Sequence, residues 1–222
     1  MHRFTTATPV STVLDIPAGQ VRFIAADRSD TTVEVRPANP GTTRDVKAAE
    51  QTTVDYADGV LRILNPTKNA SLRTPGSVEV TVQLPTGSHI DAKAASAEIR
   101  GVGRLGDIAF EGAHGPVKVD EAASVRLTTS AGDVTVGRLH GTSQITTSQG
   151  DIHIAEAVSG ALELRTEKGA ISVDAAVGAS ASLDASTSYG RVHNSLRNSE
   201  GVGAELAIHA TTSYGDITAR SL

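Results

Sequence analysis

Four aspartates each stand directly behind a glycine, at Asp107, Asp133, Asp151 and Asp216, and seven histidines (His2, His89, His114, His140, His153, His193 and His209) are scattered along the chain. Glycine–aspartate repeats can hold a ladder of Ca²⁺, but the nonapeptide rolls that do so need a glycine pair and a strict nine-residue register. Ala170 and Arg191 take the aspartate's place in the middle of this series, so the carboxylates read as turn residues bonding to backbone. His153 and His193 share a position, three residues after a repeated glycine, and Ser172 holds that position between them. At ~4.8 Å per copy the two imidazoles would lie about 10 Å apart, too far for one metal. Neither a metal site nor a cofactor is expected. Nucleophilic catalysis has no Gly-x-Ser-x-Gly elbow, and Asp120 and Glu121 are neighbours that a strand would turn to opposite faces. No glycine loop opens a helix to receive a phosphate, and no catalytic residue is assigned.

The residues with contact chemistry are Tyr189, Tyr214, Arg191 and His193. The two tyrosines occupy the same place in consecutive copies of a repeat, just before its anchor glycine, and Arg191 and His193 follow the first of them. Stacked, they would set two rings side by side at an exposed corner, beside the adjustable segment from Asn194 to Gly201. Exposed aromatics with an arginine are typical contact material.

The elements that must position these residues form a repeat. Thr129-Ser130-Ala131-Gly132-Asp133-Val134 returns as Thr147-Ser148-Gln149-Gly150-Asp151-Ile152, Thr166-Glu167-Lys168-Gly169-Ala170-Ile171, Thr187-Ser188-Tyr189-Gly190-Arg191-Val192 and Thr212-Ser213-Tyr214-Gly215-Asp216-Ile217. The anchor glycines are 18, 19, 21 and 25 residues apart, and each unit has a second turn, at Gly141, Gly160, Gly178 or Gly203. One period is two short strands and two turns. Such units cannot bury their apolar faces alone and must stack on neighbours. The β-branched residue two after each glycine then becomes a ladder in a thin core, with Val125, Leu127, Leu162, Leu164, Leu183 and Ile208 beside it. The expected fold is all-β, a β-solenoid or layered β-roll of short repeats.

The first half is punctuated differently. Seven of the eight prolines lie between Pro9 and Pro85, whereas seventeen of the 21 glycines lie from Gly87 onward. We therefore divide the chain into residues 1–86, an antiparallel β region that caps or leads into the solenoid, and residues 87–222, the repeat, within one continuous structural unit. Alternating strands are expected around Val21, Val33, Val54, Leu61 and Val80, with a hairpin turn at Ala57-Asp58-Gly59, a loop from Asn65 to Gly76 and one helix from Thr43 to Gln51.

The corner sequence Thr-Ser-x-Gly-Asp-Ile/Val, repeated with a second glycine turn between copies, resembles the bacterial putative-adhesin β-strand-repeat domain family of unknown function, common in actinobacteria. The resemblance runs over residues 90–222, with the strand-rich first half similar to the family's usual lead-in. It implies a β-solenoid-like fold and a non-enzymatic interaction role, and carries no catalytic residues across.

Composition narrows the partners. With 222 residues and no Cys, a disulfide scaffold and a thiolate metal site are excluded, and the mild acidity, a net charge of −5, argues against an electrostatic footprint for nucleic acid or anionic lipid. Six aromatics are few for stacking sugars or bases, which leaves carbohydrate a weaker candidate. The expected partner is another protein or a second copy through open solenoid ends, without membrane insertion. No signal peptide or apolar membrane span is visible, so the expected location is cytoplasmic. The leading reading is a non-catalytic intracellular interaction or scaffold module. The alternatives are a small-molecule or carbohydrate-processing enzyme on a solenoid scaffold, and an adhesive surface domain lacking its leader.

Overall fold

A computed structural model describes residues 1–66, 75–199 and 203–222. Two compact units divide the chain, Met1–Gly115 and Pro116–Leu222. Both are built of strands, with one α-helix among the described residues, and no helix there is long and apolar enough to cross a membrane.

The first unit holds β1 (His2–Thr5), β2 (Ser11–Ala26), β3 (Asp30–Pro37), α1 (Thr43–Gln51), β4 (Thr53–Ala57), β5 (Val60–Leu64), β6 (Val78–Pro85) and β7 (His89–His114). The expected antiparallel pairings are present between β1 and β3, β3 and β6, and β4 and β5. To these the structure adds parallel pairing: β2 lies in register with β5 and β6 on one side and β7 on the other. Solenoid geometry therefore begins with β2, because Leu14, Ile16, Val21 and Phe23 need apolar neighbours on both sides, and all four are fully buried. The hairpin forms at Asp58 and Gly59, with φ of 52° and 77°, the positive angles of a two-residue turn that matches strand twist. Helix α1 spans the expected residues. Its buried Asp45 carboxylate accepts the Ser77 N–H at 3.0 Å, and the Asn65 amide donates to the Ala48 carbonyl at 2.8 Å near its last turn. Of the expected Asn65–Gly76 loop, residues 67–74 lie outside the described residues.

The second unit is a stack of two-strand coils. It comprises β8 (Val117–Ala131), β9 (Val134–Leu139), β10 (Ser143–Gln149), β11 (Ile152–Ala157), β12 (Gly160–Lys168), β13 (Ile171–Ala175), β14 (Ala181–Tyr189), β15 (Val192–Ser195), β16 (Leu206–Tyr214) and β17 (Ile217–Ser221). Pairing between coils is parallel throughout, with one register shift between Ile154 and Ala157 where β11 meets β13, in the order β8, β10, β12, β16, β14 on one sheet and β9, β11, β13, β17, β15 on the other. The coil of β16 and β17 thus sits between that of β12 and β13 and that of β14 and β15, out of chain order. The cause is legible in the inward residues. Leu206, Ile208, Ala210, Ile217 and Ala219 are apolar and no more than 1% exposed, whereas the β14–β15 coil places Asn194 in the row of Ala219 and Val173. An amide at a core position is costly without hydrogen-bond partners, and at the end of the stack water can supply them. There Asn194 is exposed, and its side-chain oxygen accepts the Leu196 N–H at 3.0 Å.

Glycine holds the coils together at the corner. A Cβ on Gly150 would fall on the carbonyl oxygen of Gly132, and one on Gly169 on that of Gly150. Both residues also lie at positive φ, 141° and 158°. Gly150→Ala is expected to cost about 1–3 kcal/mol, because backbone rather than a mobile side chain must move. Gly203→Ala, where an added methyl meets nothing within 4 Å, is expected to leave the melting temperature unchanged. Thermal melts of the two variants beside the wild type test this, and equal loss in both would remove the corner contact as the cause.

Candidate surface site at the tyrosine corner

The corner is assembled from backbone outward. The glycine N–H of each coil donates to the carbonyl of the residue before the next coil's glycine: Gly132 to Gln149, Gly150 to Lys168, Gly169 to Tyr214 and Gly215 to Tyr189. The threonine three residues earlier donates its hydroxyl to the neighbouring coil's glycine carbonyl, Thr166 to Gly150, Thr212 to Gly169 and Thr187 to Gly215, each at 3.0 Å. Thr147 turns instead to the Gln149 carbonyl at 3.2 Å.

The aspartates do backbone work too, but across coils rather than within one turn. Asp133 accepts the Asp151 N–H at 2.9 Å, Asp151 the Ala170 N–H at 2.7 Å, and Asp216 the Arg191 N–H at 2.8 Å. Each carboxylate supplies an acceptor to an N–H that the sheet ladder leaves at the corner. Among the described residues no group of three or more His, Asp or Glu side chains is arranged to hold a metal ion.

One residue before the glycine, side chains point outward, and register puts Ala131, Gln149, Lys168, Tyr214 and Tyr189 in one row. The two rings are stacked, 4.8 Å between centroids and 5° between planes, and remain 67% and 55% exposed at Tyr189 and Tyr214. Arg191 is exposed on the same corner with its backbone N–H fixed by Asp216, and His193 is exposed on β15. The structure therefore brings the tyrosines together and sets Arg191 and His193 on the same outer coil. It does not bring His153 near His193. Ser172 and Thr218 both intervene, so three coil steps of ~4.8 Å separate them by about 14 Å, more than chain order suggested. Of the adjustable segment Asn194–Gly201, Glu200 and Gly201 lie outside the described residues.

A second row was missed. Arg126, Gln144, Glu163, His209 and Asp184 align across the coils, and the first four line an open groove of about 590 Å³ with Ser124, Thr142 and Ala161. His209 Nδ1 lies 3.4 Å from Asp184 Oδ2, with the two side chains 59% and 82% exposed. Water reaches this row freely, and a histidine between two carboxylates on an open face is no enclosed acid–base site. The signal was present: all five residues stand six before an anchor glycine. On the opposite sheet, Arg220 forms a bidentate pair with the buried Asp174, 2.7 Å to each oxygen, and that carboxylate raises the guanidinium above its ordinary value. This pair ties one coil to its neighbour.

Removing the Asp216 carboxylate (Asp216→Ala) should release the Arg191 amide while the core stays folded. Hydrogen exchange at Arg191 should accelerate by about tenfold, the equivalent of a ~1–2 kcal/mol charge-assisted bond. Unchanged exchange would show that the carboxylate does not hold the corner.

Among curated proteins none matches the chain. Among solved structures, a putative adhesin from Bacteroides fragilis is similar at 12% identity and a TM-score of 0.55, covering 98% of this chain and 95% of that one. A putative adhesin from Parabacteroides distasonis aligns at 13% identity and a TM-score of 0.40, covering 100% and 95% of the two chains. A putative lipid binding protein from the same species aligns at 13% identity and 0.38, covering 98% and 95%. The first likeness shows a shared fold. The family model described as Toastrack DUF4097 matches residues 12–221, nearly the whole chain and both units, and the chain belongs to that family.

Proposed function

We propose that the protein is a non-catalytic binding module that engages a protein partner through the corner bearing Tyr189, Tyr214, Arg191 and His193. The observation that carries this reading is the stacked tyrosine pair, held open to water at 67% and 55% exposure. Few large apolar side chains are exposed among the described residues, and three of them, Tyr189, Val192 and Tyr214, belong to the two outermost coils. A rigid pair of rings offers broad apolar area at little entropic cost, with phenolic hydroxyls for hydrogen bonds at the rim. Arg191 adds a fork for a carboxylate, and its backbone is already fixed, so little order is lost on binding. The partner this suits has an apolar or aromatic centre with an acidic rim.

The test is affinity capture from host lysate, with the wild type beside Tyr189→Ala/Tyr214→Ala and Arg191→Ala, read by mass spectrometry. A protein retained by the wild type, lost with the double variant and weakened with Arg191→Ala is the expected result. Aromatic contacts at an interface centre typically lower affinity by about tenfold or more when truncated. Identical captures from wild type and double variant, with circular dichroism unchanged, would overturn the assignment of this corner.

A further inference from the structure

Among the described residues the coil of β14 and β15 ends the stack without a capping strand, and only the start of β14 is met from outside, by the Arg197 carbonyl. Parallel partners lie on one side only, β16 for β14 and β17 for β15, and among the described residues no strand lies on the other. Leu206 donates its N–H to the Ser180 carbonyl, while Ala181 donates in the other direction, to the Arg197 carbonyl. Alternation along β14 then turns the N–H and C=O groups of Leu183, Ala185 and Thr187 away from β16. The core is open at the same place. Val192 is 46% exposed, whereas Val134, Ile152, Ile171 and Ile217 in its row are each 1% exposed. Leu183 and Ala185 are half-buried, where Ile208 and Ala210 beside them are 1% exposed.

Natural sheet edges are blunted by proline, lysine or an inward-pointing charge. Neither Ala181–Tyr189 nor Val192–Ser195 contains a proline or a lysine, and Asp184 points outward. The first unit manages the same problem explicitly: antiparallel β3 and β4 take the outer sides of β6 and β5. An occupant of the β14–β15 edge must satisfy two strands on the two sheets of one coil at once. An extended peptide can pair with one of them, whereas another coil edge matches both.

We propose that this edge is the interface of a homodimer, in which the β14–β15 coils of two copies meet edge to edge about a two-fold axis. Isologous contact closes at two copies and leaves no edge to propagate. Antiparallel pairing of β14 with its copy about Ala185 sets Asp184 opposite Ser186, Leu183 opposite Thr187 and Ser182 opposite Ser188, with no like charges facing. The apolar rows that end at Leu183, Ala185 and Val192 become continuous with those of the second copy. The proposal extends the reading of the tyrosine corner, which lies on the same coil, but the two fail independently.

Sedimentation velocity with light scattering, from about 1 to 100 μM chain, reads the outcome directly. The full chain has a mass of 22.8 kDa, and the wild type is expected at twice that mass. Two variants strike different strands. Ala185→Pro removes an outward N–H from β14 without touching its bonds to β16, and Val192→Lys places a charge on the open face of β15. Each is expected to sediment as a monomer with an unchanged far-ultraviolet spectrum, and either one alone decides the matter if the other unfolds. A wild type that stays monomeric at the highest concentration, a dimer that survives the folded variants, or a mass rising past two copies would overturn the proposal. A monomeric wild type with capture still dependent on the tyrosines would leave the corner assignment standing. A dimer broken by both edge variants, with capture indifferent to the tyrosines, would do the reverse.

Discussion

Backbone-to-backbone approach at the glycine corner is the constraint on which the second unit depends. Where Gly150 sits over the Gly132 carbonyl and Gly169 over that of Gly150, there is room for a hydrogen and nothing larger. The Gly150 and Gly169 carbonyls also receive the hydroxyls of Thr166 and Thr212, so close approach and hydrogen bonding coincide there. Once the corners are stacked, register is set along the strands, with one shift past Ile154 where β11 meets β13, and the positions of the repeat become rows running through the coils. The core, the aspartate bonds and the surface chemistry are three consequences of that register. Val134, Ile152, Ile171 and Ile217 pack as one apolar row, while Asp133 and Asp151 each reach the next coil's backbone.

Rows turn modest side chains into surfaces. Tyr189 and Tyr214 are separated by 25 residues of chain yet lie face to face, because the corner places both at the same height on adjacent coils. Arg126, Gln144, Glu163, His209 and Asp184 form a polar line by the same logic. Neither arrangement needs a pocket. A repeat displays side chains on a regular lattice, and three exposed apolar groups, Tyr189, Val192 and Tyr214, fall on its two outermost coils.

Much of this was legible in the residues. The period, the corner, helix α1 over Thr43–Gln51 and the turn at Asp58 and Gly59 follow from glycine spacing, alternation and turn chemistry, all of which act within a few residues. The backbone role of the aspartates was legible as well, though its target lay a coil away rather than in the same turn. Less visible was the parallel pairing of β2 with β5, β6 and β7, because an alternating strand looks the same beside a parallel or an antiparallel neighbour. The separation of His153 and His193 was underestimated for a related reason: it depends on how many coils lie between, and chain order misstates that number.

By itself the sequence determined the unit of construction: a two-strand coil with a glycine corner, an apolar inner row and an outward residue before each glycine. These are local matters of φ, Cβ volume and hydrophobic alternation. Only the tertiary structure decided which coil lies against which. The 25-residue spacing between Gly190 and Gly215 permits a chain to step outward and return, but it does not require it. The order follows burial: a coil whose inner row is apolar apart from the hydrogen-bonded Thr212 gains more from being enclosed on both sides than one carrying Asn194, so the later coil takes the inner place and the earlier one is the edge.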